Sequence, residues 1–204
     1  MDHRADRMKS LIIRTFFDCM EKEDFSQITI GKISEQALIN RSTFYRYFSD
    51  KYELRDEVVD HIVQDFADHM EVDFLHMDVG DAEHTRSLQD CLAHLCSQKR
   101  ELEILWKQQL LGRNVFDEMM NAGARKVETE IQNHPTISPE KKQFADWYAK
   151  LLVNNFLVTV RWWFSRKDDI SPQQVTAMMK RHMISGTIPT LKEQDKQDSS
   201  SIIF

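Results

Sequence analysis

The side chains that could do chemistry in this chain are concentrated in twelve residues, NRSTFYRYFSDK at positions 40–51. Two arginines and a lysine supply cationic hydrogen-bond donors, and hydroxyl groups and phenols lie among them. Guanidinium forks and hydroxyl donors are the groups that contact phosphates and base edges. The alternative is a polar short helix on the surface of a helical bundle. The pattern therefore predicts either a nucleic-acid-binding surface or a solvated face.

No catalytic constellation accompanies this stretch, because the sequence contains no HExxH, nucleophile elbow or phosphate loop. His61, Asp65 and His69 are spaced four residues apart on a predicted helix, and such a stripe could bind Zn²⁺. A solvated polar flank beside the apolar stripe of the same helix is the favoured interpretation. We therefore expect no enzyme activity, no metal and no cofactor.

The charge balance requires any basic surface to be local. The 204 residues carry 27 Lys and Arg against 33 Asp and Glu, a net charge of -6. Residues 1–60 have a net charge of -2, whereas residues 40–51 have a net charge of +2. Because non-specific DNA affinity comes mostly from counterion release, we expect it to be modest and salt-sensitive.

Cysteine usage and the N-terminal sequence bear on the compartment. Cys19, Cys91 and Cys96 lie in apolar helical patterns without CxxC spacing, which is typical of buried thiols in a reducing cytosol. The charged start MDHRADRMKS does not resemble a secretory signal, and no apolar run approaches membrane-spanning length. We expect a cytoplasmic protein without membrane contact.

Helical periodicity and capping residues organise the first third of the chain. Apolar steps of three and four predict a helix over residues 4–22. Thr29 and Asn40 suit the N-caps of two short helices, which a tight turn at 38–40 joins, and Asp50 suits the N-cap of a long helix reaching about residue 70. Two short helices joined by such a turn and supported by a longer one predict a helix-turn-helix unit.

The apolar residues of this unit predict its core. Phe44 and Phe48 are spaced by four residues and share the inner face of the last short helix. The full predicted core consists of Phe16, Ile28, Ile33, Ala37, Ile39, Phe44 and Phe48.

Glycine and proline are scarce, at five and four residues, so long helices are expected throughout. Further helices are predicted at 83–98, 100–111, 113–133, 139–165 and from 172 to near 186. The stretch LLVNNFLVTVRWWF at 151–164 is apolar on nearly every side, which predicts a helix that is buried on both faces. The predicted fold class is all-α.

The stretch ITIGKISEQALINRSTFYRYFSDKYEL at residues 28–54 resembles the DNA-binding signature of the TetR family of transcriptional regulators. The resemblance covers roughly the first quarter to third of the chain. It implies a DNA-binding domain at 1–51 and a helical regulatory and dimerisation domain at 52–191. The polar composition of residues 192–204 predicts a mobile tail. No motif in the second domain is specific to the family.

The same resemblance implies a function and partners. The protein would be a homodimer, paired through the helices around 139–165 and 172–187, that binds double-stranded operator DNA. It would act as a repressor released from its operator by a small-molecule inducer. The alternative is an all-helical interaction protein, or a regulator with no small-molecule inducer.

Matching the family by position implies eight DNA-binding residues. Thr29 and Lys51 would bind phosphate near helix N-termini, and Arg46 would flank the recognition surface. We use the term recognition surface for the five remaining residues, which are Arg41, Ser42, Thr43, Tyr45 and Tyr47.

The turn departs from the family pattern at one residue. Leu38 stands where the family usually has glycine, so the turn must either place leucine in a left-handed backbone at some cost or avoid that conformation.

Aromatic residues are frequent in the second half, where plain core and dimer interface are the simplest interpretation. An apolar ligand pocket between helices is the functional alternative. For the polar candidates, a structural role with satisfied hydrogen bonds is the alternative. The candidate ligand contacts are His94, Trp106, Phe116, Trp147, Asn155 and Arg161.

Overall fold

The computed structural model describes residues 3–72, 82–166 and 170–186, and the predicted tail at 192–204 lies outside them. All regular elements in these ranges are helices, which confirms the all-α prediction. In chain order they are α1 (His3–Met20), the 3₁₀ turn η1 (Phe25–Gln27), α2 (Ile30–Gln36), α3 (Arg41–Phe44), α4 (Lys51–His69), α5 (Ala82–Ser97), α6 (Lys99–Lys107), α7 (Val115–Asn133), α8 (Pro139–Lys142), α9 (Ala145–Ser165) and α10 (Pro172–Ser185).

The chain divides into two compact units. The first, here called the head unit, consists of Met1–Phe66 and Arg100–Met119. The second, here called the bundle unit, consists of Ala67–Lys99 and Met120–Phe204. The predicted boundary at residue 51 follows the end of the helix-turn-helix, whereas the compact head unit also includes most of α4, α6 and the start of α7.

The core of the head unit follows the predicted apolar stripe. Phe16, Ile28, Ile33, Ala37, Phe44 and Phe48 are all buried, and Ile39 is half-buried. Phe25 adds a fully buried ring that packs edge-on against Phe16, with centroids 6.1 Å apart. Burial of these side chains is the main stabilising contribution to a unit with such short helices, since a helix as short as α3 is unstable alone.

Polar side chains join the distant segment 100–119 to the N-terminal helices of the head unit. Gln108 donates from Nε2 to the carbonyls of Met20 and Glu23, and its Oε1 accepts a bond from the backbone N–H of Phe25. The buried Arg55 donates from Nη1 to the carbonyls of Leu110 and Leu111. These bonds satisfy backbone groups at helix ends and in loops, where no helical partner exists.

The predicted N-caps differ in what their side chains do. Thr29 accepts a hydrogen bond from the backbone N–H of Lys32, as predicted. Asp50 accepts from the backbone N–H groups of Tyr52 and Glu53 at 2.7 and 2.8 Å, so it caps α4. Asn40 occupies the N-cap position of α3, but its side chain makes no capping hydrogen bond, and that part of the prediction is wrong.

The bundle unit contains α5, α8, α9, α10 and the larger part of α7. The predicted helix at 139–165 is interrupted at residues 143–144, so that it forms the short α8 and the long α9. One face of α9 is buried, including Ala149, Val153 and Leu157. The opposite face leaves large apolar side chains exposed, namely Trp147, Tyr148, Leu151, Val158 and Trp162. Among the described residues, the predicted burial on both faces is therefore found on one face of α9.

Helix α10 begins with a complete capping box. The Ser171 side chain accepts from the backbone N–H of Gln174, and the Gln174 side chain accepts from the backbone N–H of Ser171.

No helix among the described residues has the length and apolar character required to cross a bilayer.

Candidate nucleic-acid interface

Helix α3 is fixed to the head unit by two aromatic anchors. Phe44 and Phe48 are almost fully buried, with ring centroids 5.8 Å apart. The α-helical part ends at Phe44, and turns continue to Phe48, whose backbone N–H donates to the Phe44 carbonyl. Because both anchors lie on the inner side, the other side chains of this short element face away from the core.

The predicted recognition surface lies mostly on this outer side. Arg41, Ser42 and Tyr45 are exposed, and the Tyr45 side chain retains 55% of its accessible surface. Thr43 and Tyr47 are half-buried. The Thr43 hydroxyl accepts a hydrogen bond from Nη2 of the exposed Arg46 at 3.0 Å. The structure thus brings cationic, hydroxyl and phenol groups together on one short element.

The two predicted phosphate contacts are placed differently from each other. Thr29 is exposed at the start of α2, but its hydroxyl already caps that helix. The Lys51 ammonium donates to the carbonyls of Phe25, Ser26 and Ile28 at 2.9, 3.2 and 2.8 Å. It also lies 4.7 Å from the centre of the Phe25 ring, and its partial burial lowers the pKa of Lys51. A phosphate contact by Lys51 would have to replace these bonds.

A cavity of about 660 Å³ opens in the bundle unit between α5, α9 and α10. Its walls are mainly apolar and include four methionines, which are Met70, Met178, Met179 and Met183. Asn155, Thr159 and His182 are among the few polar groups. Cys91 also lines the cavity, and burial raises the pKa of its thiol to about 12, so the thiol is neutral at ordinary pH.

The six predicted ligand contacts are divided between the two units. Asn155 lines the cavity, and the other five are not among its lining residues. Trp106 and Phe116 belong to the head unit, where their rings pack edge-on with centroids 5.9 Å apart. In the bundle unit, His94 stacks on His69 at 3.6 Å, whereas Trp147 and Arg161 are exposed.

Sequence reasoning missed the main lining of the cavity. The available signal was the run of methionines in the last helix, since methionine is the flexible side chain that most easily adapts to irregular spaces. The position of the cavity could not be inferred from that signal alone, because it depends on how α9 and α10 separate.

Comparison with known proteins identifies the N-terminal part of the chain. Residues 12–58 match the family described as bacterial regulatory proteins, tetR family. A stretch of 73 residues is 30% identical to the uncharacterized HTH-type transcriptional regulator YxbF of Bacillus subtilis (strain 168). That stretch covers 35% of this chain but 19% of the relative, so the chain matches about a fifth of that protein's length.

Two solved structures are similar over nearly the whole chain. A TetR transcriptional regulator from Streptococcus agalactiae 2603V has a TM-score of 0.59 at 17% identity, over 88% of this chain and 94% of the other. The dihydroxyacetone kinase operon activator DhaS has a TM-score of 0.56 at 16% identity, over 92% and 98%. At such low identity these similarities establish the fold alone. Residues 12–58 therefore match the tetR family of bacterial regulatory proteins, and the fold of the chain is similar to that of a solved TetR regulator.

Proposed function

We propose that this protein is a dimeric transcriptional regulator that binds operator DNA through the recognition surface on α3. The observation that carries the proposal is the contrast between the two sides of this element. Phe44 and Phe48 are buried anchors, whereas Arg41, Ser42 and Tyr45 are exposed at its start. An N-terminal arginine on a helix that enters the major groove can make a bidentate contact to guanine, and the phenol can contact a phosphate or sugar edge.

The exposed apolar face of α9 supports a second copy of this chain as the partner. Trp147, Leu151, Val158 and Trp162 each leave at least 40% of their surface accessible, and they lie on one side of a 21-residue helix. A contiguous apolar surface of this kind is typical of a protein interface. Regulators of this family are typically dimeric. A two-fold dimer places the same face of both copies in contact and presents two recognition helices to a palindromic operator.

The cavity of the bundle unit supports regulation by a small apolar molecule. Its volume of about 660 Å³ falls in the range of sites for drug-sized ligands, and its few polar groups could orient one. Such a ligand would change DNA binding to the extent that it prefers one conformation of the dimer over another. We propose repression that the ligand relieves. One protein of similar fold is named as an operon activator, so the sign of regulation needs its own measurement.

The experiment that tests the proposal is selection of bound duplexes from a random DNA pool, followed by titration of the selected duplex. We expect Arg41→Ala and Tyr45→Ala to weaken binding of the selected duplex strongly, and Arg41→Ala to lose base preference at the position it contacts, while the circular dichroism spectrum and melting temperature remain those of the wild type. Arg125→Ala, which removes an exposed arginine from α7, is the matched control and should bind normally. Full sequence preference in Arg41→Ala would contradict the proposed recognition surface.

The same duplex tests regulation and the alternative function. Small apolar compounds that bind the cavity should release the duplex, and a reporter gene behind the selected sequence gives the sign of regulation. If the wild type binds no duplex at any salt concentration, the alternative of an all-helical interaction protein is favoured. The salt dependence identifies the electrostatic part of any binding that is seen.

A further inference from the structure

The glycine in the first turn of α2 lies directly beneath the guanidinium of Arg41. A β-carbon built on Gly31 would be 2.6 Å from Nη2, 3.3 Å from Cζ and 3.5 Å from Nε of that arginine. All three distances involve the same planar group, so the guanidinium rests on the bare backbone of α2. No side chain larger than hydrogen fits at position 31 while Arg41 stays where it is.

Backbone conformation does not explain this glycine. Gly31 lies inside a helix, and the described glycines with positive φ are Gly112 and Gly186. Glycine destabilises a helix interior by up to about 1 kcal/mol relative to alanine. A close approach of another group to the backbone is the remaining physical reason for glycine at such a position, and the Arg41 guanidinium is the group found there.

Arg41 itself is placed by packing rather than by hydrogen bonds. Among the described residues, no acceptor takes a hydrogen bond from its guanidinium, and its side chain is exposed. By contrast, neighbouring Arg46 donates to Thr43. Arg41 therefore keeps all five of its donors available in a position that Gly31 defines. A guanidinium that is already oriented loses less freedom when it forms the two parallel bonds of a bidentate contact.

We propose that Gly31 is a positioning residue for base recognition. Because it has no side chain, the Arg41 guanidinium can pack against the backbone of α2, and this position sets the base preference at the operator position that Arg41 contacts. This inference rests on the proposed DNA-binding function. A methyl group at position 31 forces the guanidinium to move by roughly 1 Å before ordinary contact distances are restored. Because a bidentate arginine–guanine contact requires alignment of two bonds at once, that displacement breaks or weakens it.

The test compares wild type, Gly31→Ala, Arg41→Ala and the double variant on the duplex that the wild type selects, and on duplexes changed at each base pair in turn. All titrations use one salt concentration, since affinities at different salt cannot be compared. We expect Gly31→Ala to lower affinity for the selected duplex by about ten- to a hundredfold. Gly31→Ala should lose base preference at the same base pair as Arg41→Ala does. In the Arg41→Ala background, Gly31→Ala should cause no further loss of affinity.

The melting temperature separates positioning from folding. Gly31→Ala should melt at the same temperature as the wild type or higher, because the substitution favours the helix and the displaced group is the free end of a side chain. Gly112→Ala is the matched control. A β-carbon at Gly112 meets nothing within 4 Å, but the φ of 96° strains it, so that variant should melt lower with an unchanged base preference.

Different results would overturn different statements. If Arg41→Ala loses preference but Gly31→Ala keeps wild-type affinity and base preference, the positioning role of Gly31 is wrong and the recognition surface stands. The inference also fails if the effect of Gly31→Ala persists undiminished in the Arg41→Ala background. A wild type that selects no duplex overturns the proposed function, and the inference with it.

Discussion

At the scale of single residues, the turn before α3 contains a strained leucine. Leu38 has a φ of 55°, and 92% of its side-chain surface is exposed. The left-handed backbone costs an L-residue about 1–2 kcal/mol, and an exposed side chain gains no packing that offsets this cost. The sequence showed that leucine stands where glycine is usual. It could not show whether the turn would change or the residue would be strained, because that depends on where the buried Phe44 and Phe48 place α3.

Replacing this leucine with glycine should therefore stabilise the protein. We expect Leu38→Gly to raise the free energy of unfolding by about 1 kcal/mol, since relief of the left-handed strain exceeds the added freedom of glycine in the unfolded chain. Urea denaturation followed by circular dichroism measures the change. Leu38→Ala is the control, because it removes the exposed side chain but keeps the strained β-carbon. Equal stabilisation by both variants would show that backbone strain is not the cause.

At the scale of elements, Lys51 joins the start of α4 to the segment around η1. Its ammonium binds the carbonyls of Phe25, Ser26 and Ile28, and it lies over the Phe25 ring. The sequence placed Lys51 correctly at the first residue of α4. The bonds to residues 25–28 were not predictable, because no pattern in the sequence states that these segments meet.

Loss of the Lys51 ammonium should destabilise the head unit. We expect Lys51→Met to lower the free energy of unfolding by about 1–3 kcal/mol, because the substitution leaves three carbonyls without their charged donor. Lys9→Met is the control. It removes a surface ion pair to Glu57 in which both side chains are about 40% exposed, and such pairs contribute at most about 1 kcal/mol.

The salt dependence of DNA binding distinguishes this structural role from a phosphate contact. A lysine that neutralises a phosphate steepens the slope of log affinity against log salt by about one unit. Because carbonyls hold the ammonium, we expect the slope of Lys51→Met to equal that of the wild type. A slope smaller by about one unit, with unchanged stability, would restore the phosphate role that the family resemblance implies.

The positions of the helices were predictable where apolar periodicity and capping residues agree, and they were less predictable where capping residues are absent. The ends of α5, α7 and α10 lie within about two residues of their predicted positions, since Ser, Pro and Asn mark them in the sequence. The break between α8 and α9 has no such marker, because residues 143–144 are Gln and Phe. The cavity was also not predictable, since it is formed by α5 together with α9 and α10, which are distant from α5 in the sequence.

At the scale of the whole molecule, the exposed apolar face of α9 supports the proposed dimer. The helix is apolar around nearly its whole circumference, yet one face has no partner within the described part of the chain. Water contact with several large apolar side chains is unfavourable, at about 25 cal/mol per Å² of apolar surface. A two-fold interface removes the same surface from both copies at once, so the energetic gain per residue is doubled.

The same doubling makes a single charged substitution a sharp test of the dimer. Leu151 lies on α9 and is 42% exposed. In a Leu151→Glu dimer, each copy would contribute one carboxylate to the apolar interface. Each carboxylate would lose its hydration without gaining a partner, so we expect the variant to sediment as a monomer at concentrations where the wild type is a dimer. Leu111→Glu is the matched control, since Leu111 is 55% exposed and lies in the head unit. That variant should remain dimeric. If Leu151→Glu sediments as the wild type does, α9 is not part of the dimer interface. If the variant is a monomer, it should also bind the operator more weakly, because two linked recognition helices bind one duplex more tightly than one.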